Sequence, residues 1–69
     1  GPEAGLALMD ALTEELDGYH LLHAARADLL RRAGSLPQAA ESYKRALDLV
    51  TNDSERRFLE RRLREVQPT

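Results

Sequence analysis

Residues 34–47 restrict the fold more than any other segment, because they encode a sharp turn between two helices. Gly34 follows an apolar-periodic run and, lacking a Cβ, can adopt the left-handed conformation that closes a helix. Ser35 and Gln38 have the spacing of a capping box. Pro37 falls in the first turn, where its missing N–H costs little. The segment therefore predicts a helical hairpin.

The composition and the apolar periodicity extend this prediction to the whole chain. Ala, Leu, Arg and Glu dominate the 69 residues, which is a composition that favours helices. We expect an all-α fold of four antiparallel helices in a single domain. The helices are predicted at about residues 3–16, 19–33, 36–50 and 54–66. A core of this size can supply only about 3–5 kcal/mol, so the ends of the domain matter for its stability.

Apolar residues recur at helical spacing in the terminal helices as well. The predicted buried stripe of the first helix is Leu8, Ala11, Leu12 and Leu16, joined by Ala4 and Ala7. Asn52 and Glu55 again have capping-box spacing, and the fourth helix follows them. Its predicted inward residues are Phe58, Leu59, Leu63 and Val66. The other side of this helix is densely charged, which is typical of a helix that closes the end of a repeat array.

The central hairpin resembles a tetratricopeptide repeat, a helix–turn–helix unit of 34 residues. The resemblance rests on small and large residues at fixed places, and it covers residues 20–53. The packing residues that it predicts are Ala27, Leu30, Gly34, Ala39, Tyr43 and Ala46, with Phe58 and Leu63 in the next helix. The resemblance implies tetratricopeptide-like hairpins that form a partial α-solenoid.

A second copy of part of this pattern lies at the start of the chain. Pro2, Ala4, Leu8, Ala11 and Leu12 recur 35 residues later as Pro37, Ala39, Tyr43, Ala46 and Leu47. The first helix therefore resembles the second helix of a preceding repeat whose first helix is missing. We expect its outer flank to lack a covering helix and to dock on preceding chain or on the core domains of the protein to which the chain belongs. Weak self-association through this flank is a further expectation.

The charge distribution suggests two candidate interaction surfaces. Residues 1–18 hold five acidic side chains and no Lys or Arg, while the remaining 51 residues hold ten basic and seven acidic ones. The acidic candidates are Glu14, Glu15 and Asp17, and the basic ones are Arg57, Arg61 and Arg64 at i, i+4 and i+7. We expect both sets to contact proteins, although an ordinary solvated helix face is the simpler interpretation.

Catalytic and ligand-binding patterns are lacking. The sequence has no cysteine, no glycine-rich phosphate loop and no run long enough to span a membrane. His20 and His23 at i, i+3 could share a metal, but no third ligand follows from local spacing. We expect no enzymatic activity, no metal, no cofactor and no membrane contact, and the two histidines are expected to be hydrogen-bonded or partly exposed.

A more specific resemblance covers nearly the whole chain. Residues 18–63, from GYHLLHAARADLL to ERRL, resemble the C-terminal extension of a group of bacterial extracytoplasmic-function sigma factors. The leading GPEAGLALMDAL also fits this group, which favours Gly1-Pro2 being native over its being a remnant of a protease site. The resemblance implies a cytoplasmic regulatory domain excised from a longer protein. Such a domain contacts the sigma core, RNA polymerase or another protein, and it supports transcription initiation without binding specific nucleic acid itself. The alternative is a free-standing adaptor module that binds an external peptide or protein.

Overall fold

Four α-helices follow one another in the computed structural model, which describes residues 1–16 and 18–67 except for the side chains of Thr13 and Glu14. They are α1 (Pro2–Glu15), α2 (His20–Arg32), α3 (Leu36–Leu49) and α4 (Asp53–Val66). The described residues include no strand, so the all-α, four-helix prediction is confirmed. The extensive contacts join helices that are neighbours in the chain, so α2 packs between α1 and α3, while α4 packs on α3.

The turn between α2 and α3 depends on Gly34, whose φ of +84° lies in the left-handed region. The Ser35 N–H donates to the Leu30 carbonyl at 2.9 Å, and the Gly34 N–H donates to the Arg31 carbonyl at 3.1 Å. These two hydrogen bonds form a Schellman motif, which satisfies carbonyls that the end of α2 would otherwise leave unpaired. The chain consequently reverses within three residues, and α2 and α3 form the most extensive helix pair.

The two predicted capping boxes have different outcomes. Ser35 makes no side-chain capping hydrogen bond, so the first prediction is wrong. Such a cap needs an N–H two or three residues further on, and Pro37 removes one of these two donors. Asn52 does cap α4, since its Oδ1 accepts from the Glu55 N–H at 3.0 Å. The Glu55 carboxylate does not complete a box, because it contacts His20 instead.

The core lies between α2, α3 and α4. Tyr43 on α3 is the largest fully buried side chain, and three alanines around it have no exposed surface. The small alanine side chains allow the helix backbones to approach closely around the ring. The buried apolar residues are Ala27, Leu30, Ala39, Ala40, Tyr43, Ala46, Val50, Leu59 and Val66, and Leu63 is half-buried against them.

Helix α1 packs with a different face from the one predicted. Leu8 and Leu16 are 60% and 49% exposed, and the alanines of the predicted stripe are exposed as well. On the other side of the helix, Gly5 lies so near Leu29 that a Cβ at Gly5 would be 3.1 Å from the Leu29 Cδ1. Leu6 packs against the core from the same side. Leu12 of the predicted stripe is half-buried, whereas the rest of the stripe faces no other helix among the described residues.

The prediction that Phe58 packs in the core is also wrong, because 48% of its surface is exposed. Leu59 is buried, and adjacent residues lie 100° apart around a helix, so both cannot point at the same core. The Phe58 ring instead lies under the guanidinium of Arg62, whose Cζ is 5.2 Å from the ring centroid. This is cation–π geometry, and it holds the ring at the edge of α4 rather than in the core.

Candidate interaction surfaces

The three arginines singled out in the sequence form an exposed stripe on α4. Arg57, Arg61 and Arg64 are exposed and lie on the face opposite Leu59 and Val66. None of the three forms an ion pair or hydrogen bond with any residue in the described part of the chain. We call these three residues the arginine stripe.

The other arginines of α4 are held within the helix. Arg56 Nη1 lies 2.9 Å from Asp53 Oδ1, and Arg62 Nη1 lies 2.9 Å from Glu65 Oε1. Both pairs have i, i+3 spacing. Glu60 has an arginine four residues away on either side, yet it has no partner among the described residues. The charged back of α4 is therefore only partly neutralised.

Only part of the predicted acidic cluster lies within the described residues. Glu15 is exposed at the end of α1. The side chain of Glu14 and the whole of Asp17 lie outside the described residues. Asp10, earlier on α1, is already used within the domain, since its Oδ1 accepts from Arg26 Nε at 2.6 Å. Arg26 also donates from Nη1 to Ser42 Oγ at 2.8 Å, so one guanidinium joins α1, α2 and α3.

A second surface is the uncovered face of α1. The apolar stripe predicted from the sequence includes its residues, but the prediction placed them in the core. This face consists of the exposed residues Ala4, Ala7, Leu8 and Ala11. At the matching positions of α3, Ala39, Ser42, Tyr43 and Ala46 are all buried. The two helices thus carry similar faces, one covered by α2 and one uncovered.

A cleft between the first turns of α2 and α4 was not predicted. It has a volume of about 200 Å³ and is lined by His20, Leu21, Ala24, Glu55, Phe58 and Leu59. Leu21 and Phe58 are about half exposed at its walls. The signal in the sequence was an apolar residue at position 21, away from the buried residues Ala27 and Leu30 of α2. The cleft itself depends on how α2 and α4 approach each other, which local spacing does not give.

The two histidines do not share a site. His20 Nε2 lies 2.7 Å from Glu55 Oε2, and both residues line the cleft, whereas His23 is 5% exposed and belongs to the buried side of α2. No group of three or more His, Asp or Glu side chains is placed to hold a metal ion within residues 1–16 and 18–67. The helices described here include none with the length and apolar character needed to cross a bilayer.

Comparison with known proteins gives one informative match. A protein of Rhizobium meliloti (strain 1021), described as uncharacterized, is 40% identical to this chain over 63 residues. The match covers 91% of the chain and 15% of the relative, so the chain corresponds to a small part of a longer protein. No protein-family model matches the chain. No solved structure matches it either.

Proposed function

We propose that this chain is a non-catalytic C-terminal regulatory domain of an extracytoplasmic-function sigma factor, acting in the cytoplasm. In this role it supports transcription initiation through contacts with the sigma core, RNA polymerase or another protein. Its helices form tetratricopeptide-like hairpins, an arrangement supported by the 35-residue recurrence between α1 and α3 and by packing between chain neighbours.

The observation that carries the proposal is the arginine stripe. Arg57, Arg61 and Arg64 place three like charges side by side with no carboxylate partner in the described part of the chain. Like charges at such spacing destabilise a helix slightly, so the clustering of the three arginines does not stabilise α4, although Arg64 alone suits the last turn of the helix. A partner surface carrying carboxylates would neutralise the stripe and gain speed of association from the attraction.

A reporter assay tests this role. Replacing Arg57, Arg61 and Arg64 by Ala should leave the fold intact and reduce transcription driven by the full-length sigma factor at matched protein levels. The helical circular dichroism spectrum of the domain checks the fold. Wild-type output from the triple variant would refute the proposed arginine contact. Wild-type output from a factor lacking all 69 residues would refute the proposed regulatory role.

A matched control removes the same charge without touching the stripe. Arg32, Lys44 and Arg56 are exposed basic residues, and each already has an acidic neighbour on its own helix. Replacing these three by Ala also changes the net charge by three units. Under the proposal this control retains most of the reporter output, because the effect depends on the position of the charge.

The cleft favours the second candidate, a free-standing tetratricopeptide-type adaptor that binds a peptide or protein. Its walls expose Leu21 and Phe58, which could receive an apolar side chain. Replacing each of these two residues by Ser separates the candidates. An adaptor loses its partner in this variant, whereas a sigma-factor domain that works through the arginine stripe keeps its reporter output.

The proposal also predicts that the isolated domain does not recognise promoter DNA. Its net charge is −2, and the basic stripe contains only three residues, which is a small footprint for a nucleic-acid interface. Titration of labelled promoter and scrambled duplexes at physiological salt tests this. Sub-micromolar binding that depends on the sequence would refute the assignment to protein contacts alone.

A further inference from the structure

The sequence recurrence between α1 and α3 indicates what kind of partner fits the uncovered face of α1. Leu8 and Tyr43 occupy equivalent positions, but Leu8 is 60% exposed and Tyr43 is 1% exposed. In α3 this face is buried chiefly by α2, which contributes its own buried residues His23, Ala27 and Leu30. In α1 nothing among the described residues lies there. The described residues therefore contain both a covered and an uncovered form of the same helix face.

The residues of the uncovered face of α1 suit a partner helix better than an extended peptide. Ala4 and Ala11 flank Leu8 as Ala39 and Ala46 flank Tyr43. Small residues on either side of a larger one let a second helix approach to the usual 8–10 Å between axes. An extended strand would find no edge to pair with, because the backbone N–H and C=O groups of α1 are used within the helix.

The negative charge of α1 indicates which kind of partner helix it would attract. Helix α1 contains Glu3, Asp10, Glu14 and Glu15 and no basic residue. Glu3 and Glu15 are exposed and have no ion pair in the described part of the chain. A second copy of α1 would bring like charges together, whereas a helix with basic edges would be attracted.

We propose that the uncovered face of α1 binds one amphipathic helix of a partner protein, which is basic along its edges and lies on α1 as α2 lies on α3. The partner presents a small residue and a Leu one turn apart, as α2 presents Ala27 and Leu30. This docking uses α1 at one end of the helix order and not the arginine stripe on α4. It is therefore independent of the contact proposed for the arginine stripe.

The chain itself supplies the probe for a test. A labelled peptide with the sequence of residues 20–32 carries the face that covers α3, and it has three arginines and one aspartate. Because isolated helices of this length are marginal in water, the peptide is given a hydrocarbon staple on its solvent face. Fluorescence anisotropy with the intact 69-residue domain then measures its affinity.

Two protein variants locate the binding site. Leu8→Glu should weaken peptide binding at least tenfold, although its added negative charge attracts a basic peptide. Leu36→Glu, at another exposed leucine, on α3, is the matched control and should bind like the wild type. Circular dichroism confirms that both variants fold, as expected for exposed positions. No binding by the wild type, or equal binding by Leu8→Glu, overturns the proposal.

Two further measurements test the occupant. A peptide in which Arg26, Arg31 and Arg32 are replaced by Glu should bind several times more weakly, and equal affinity overturns the basic character of the partner. Sedimentation equilibrium of the domain alone examines the competing occupant. A dimer that Leu8→Glu dissociates would mean that a second copy covers the face, which also overturns the proposal, whereas a monomer supports it.

Discussion

The imidazole of His20 and the carboxylate of Glu55 lie 2.7 Å apart, and 35 positions separate them in the chain. The same interval relates α1 to α3. The contact joins the first turn of α2 to the first turn of α4, two helices that are not chain neighbours. It therefore adds a direct link between them, and both residues line the cleft.

The contribution of this link can be measured with a double-mutant cycle. His20→Ala, Glu55→Ala and the double variant should give a coupling free energy of about 0.5–1 kcal/mol, because both side chains are partly exposed. Urea unfolding of the wild type and the three variants supplies the four free energies. The exposed Arg56–Asp53 pair within α4 is the control, with an expected coupling of at most about 0.5 kcal/mol. A coupling of zero for His20 and Glu55 would mean that the contact does not stabilise the fold.

The internal recurrence supplies a matched pair of substitutions for the core. Ala46 has no exposed surface, so Ala46→Leu should overpack the α2–α3 contact and cost about 1–3 kcal/mol. Ala11 is its equivalent on α1 and is exposed, so Ala11→Leu should change the stability by no more than about 0.5 kcal/mol. Thermal unfolding of the two variants compares them directly. An unchanged melting temperature for Ala46→Leu would contradict the close approach of the helices.

The turn between α2 and α3 can be tested through its glycine. Gly34→Ala places a Cβ at a φ of +84°, and we expect a loss of about 1–2 kcal/mol from this conformation alone. Gly18 has open space around its Cβ position and no such φ, so Gly18→Ala should be neutral or stabilising by up to about 1 kcal/mol. Chemical denaturation measures both changes. Equal effects at the two glycines would show that the left-handed turn is not the cause.

Arg26 is expected to stabilise the fold through its two hydrogen bonds. Arg26→Met keeps the length and the helix preference but leaves the buried Ser42 hydroxyl without its donor. We expect a loss of about 1–3 kcal/mol in the free energy of unfolding. Arg57→Met is the control, and as a surface change it should lie within about 0.5 kcal/mol of the wild type. If both variants unfold at the same urea concentration, Arg26 does not join the helices as described.

The α2–α3 hairpin was predictable because its determinants are local. Gly34 defines the turn, and the spacing of Ala39, Tyr43 and Ala46 defines one face of a helix. These signals depend only on residues within a few turns of one another.

The face of α1 was not predictable in the same way. This helix has apolar residues on both sides, with Leu8 on one and Leu6 on the other. Periodicity shows that either side can be buried, but only the position of α2 decides which side is. Leu59 and Phe58 present the same ambiguity on α4, and there the neighbouring Arg62 holds the ring outside the core.

Glu55 shows how a distant residue can override a local pattern. Its spacing from Asn52 is that of a capping box, and the Asn52 half of the box forms. The carboxylate has a competing partner in His20, which is far away in sequence and cannot be found by counting residues. The cleft depends on the same long-range approach of α2 and α4, so it was not predictable either.

Packing between chain neighbours also affects how the domain opens. Helix α1 has one extensively packed neighbour, whereas α2 and α3 each have two. Its amide protons should therefore exchange with solvent at a lower opening free energy than those of α3. The most easily opened helix is thus the one that carries an uncovered apolar face. A partner helix that binds only when α1 is packed on the domain would slow this exchange in proportion to its concentration. The exchange rate of the α1 amide protons would therefore report how much of the face is occupied.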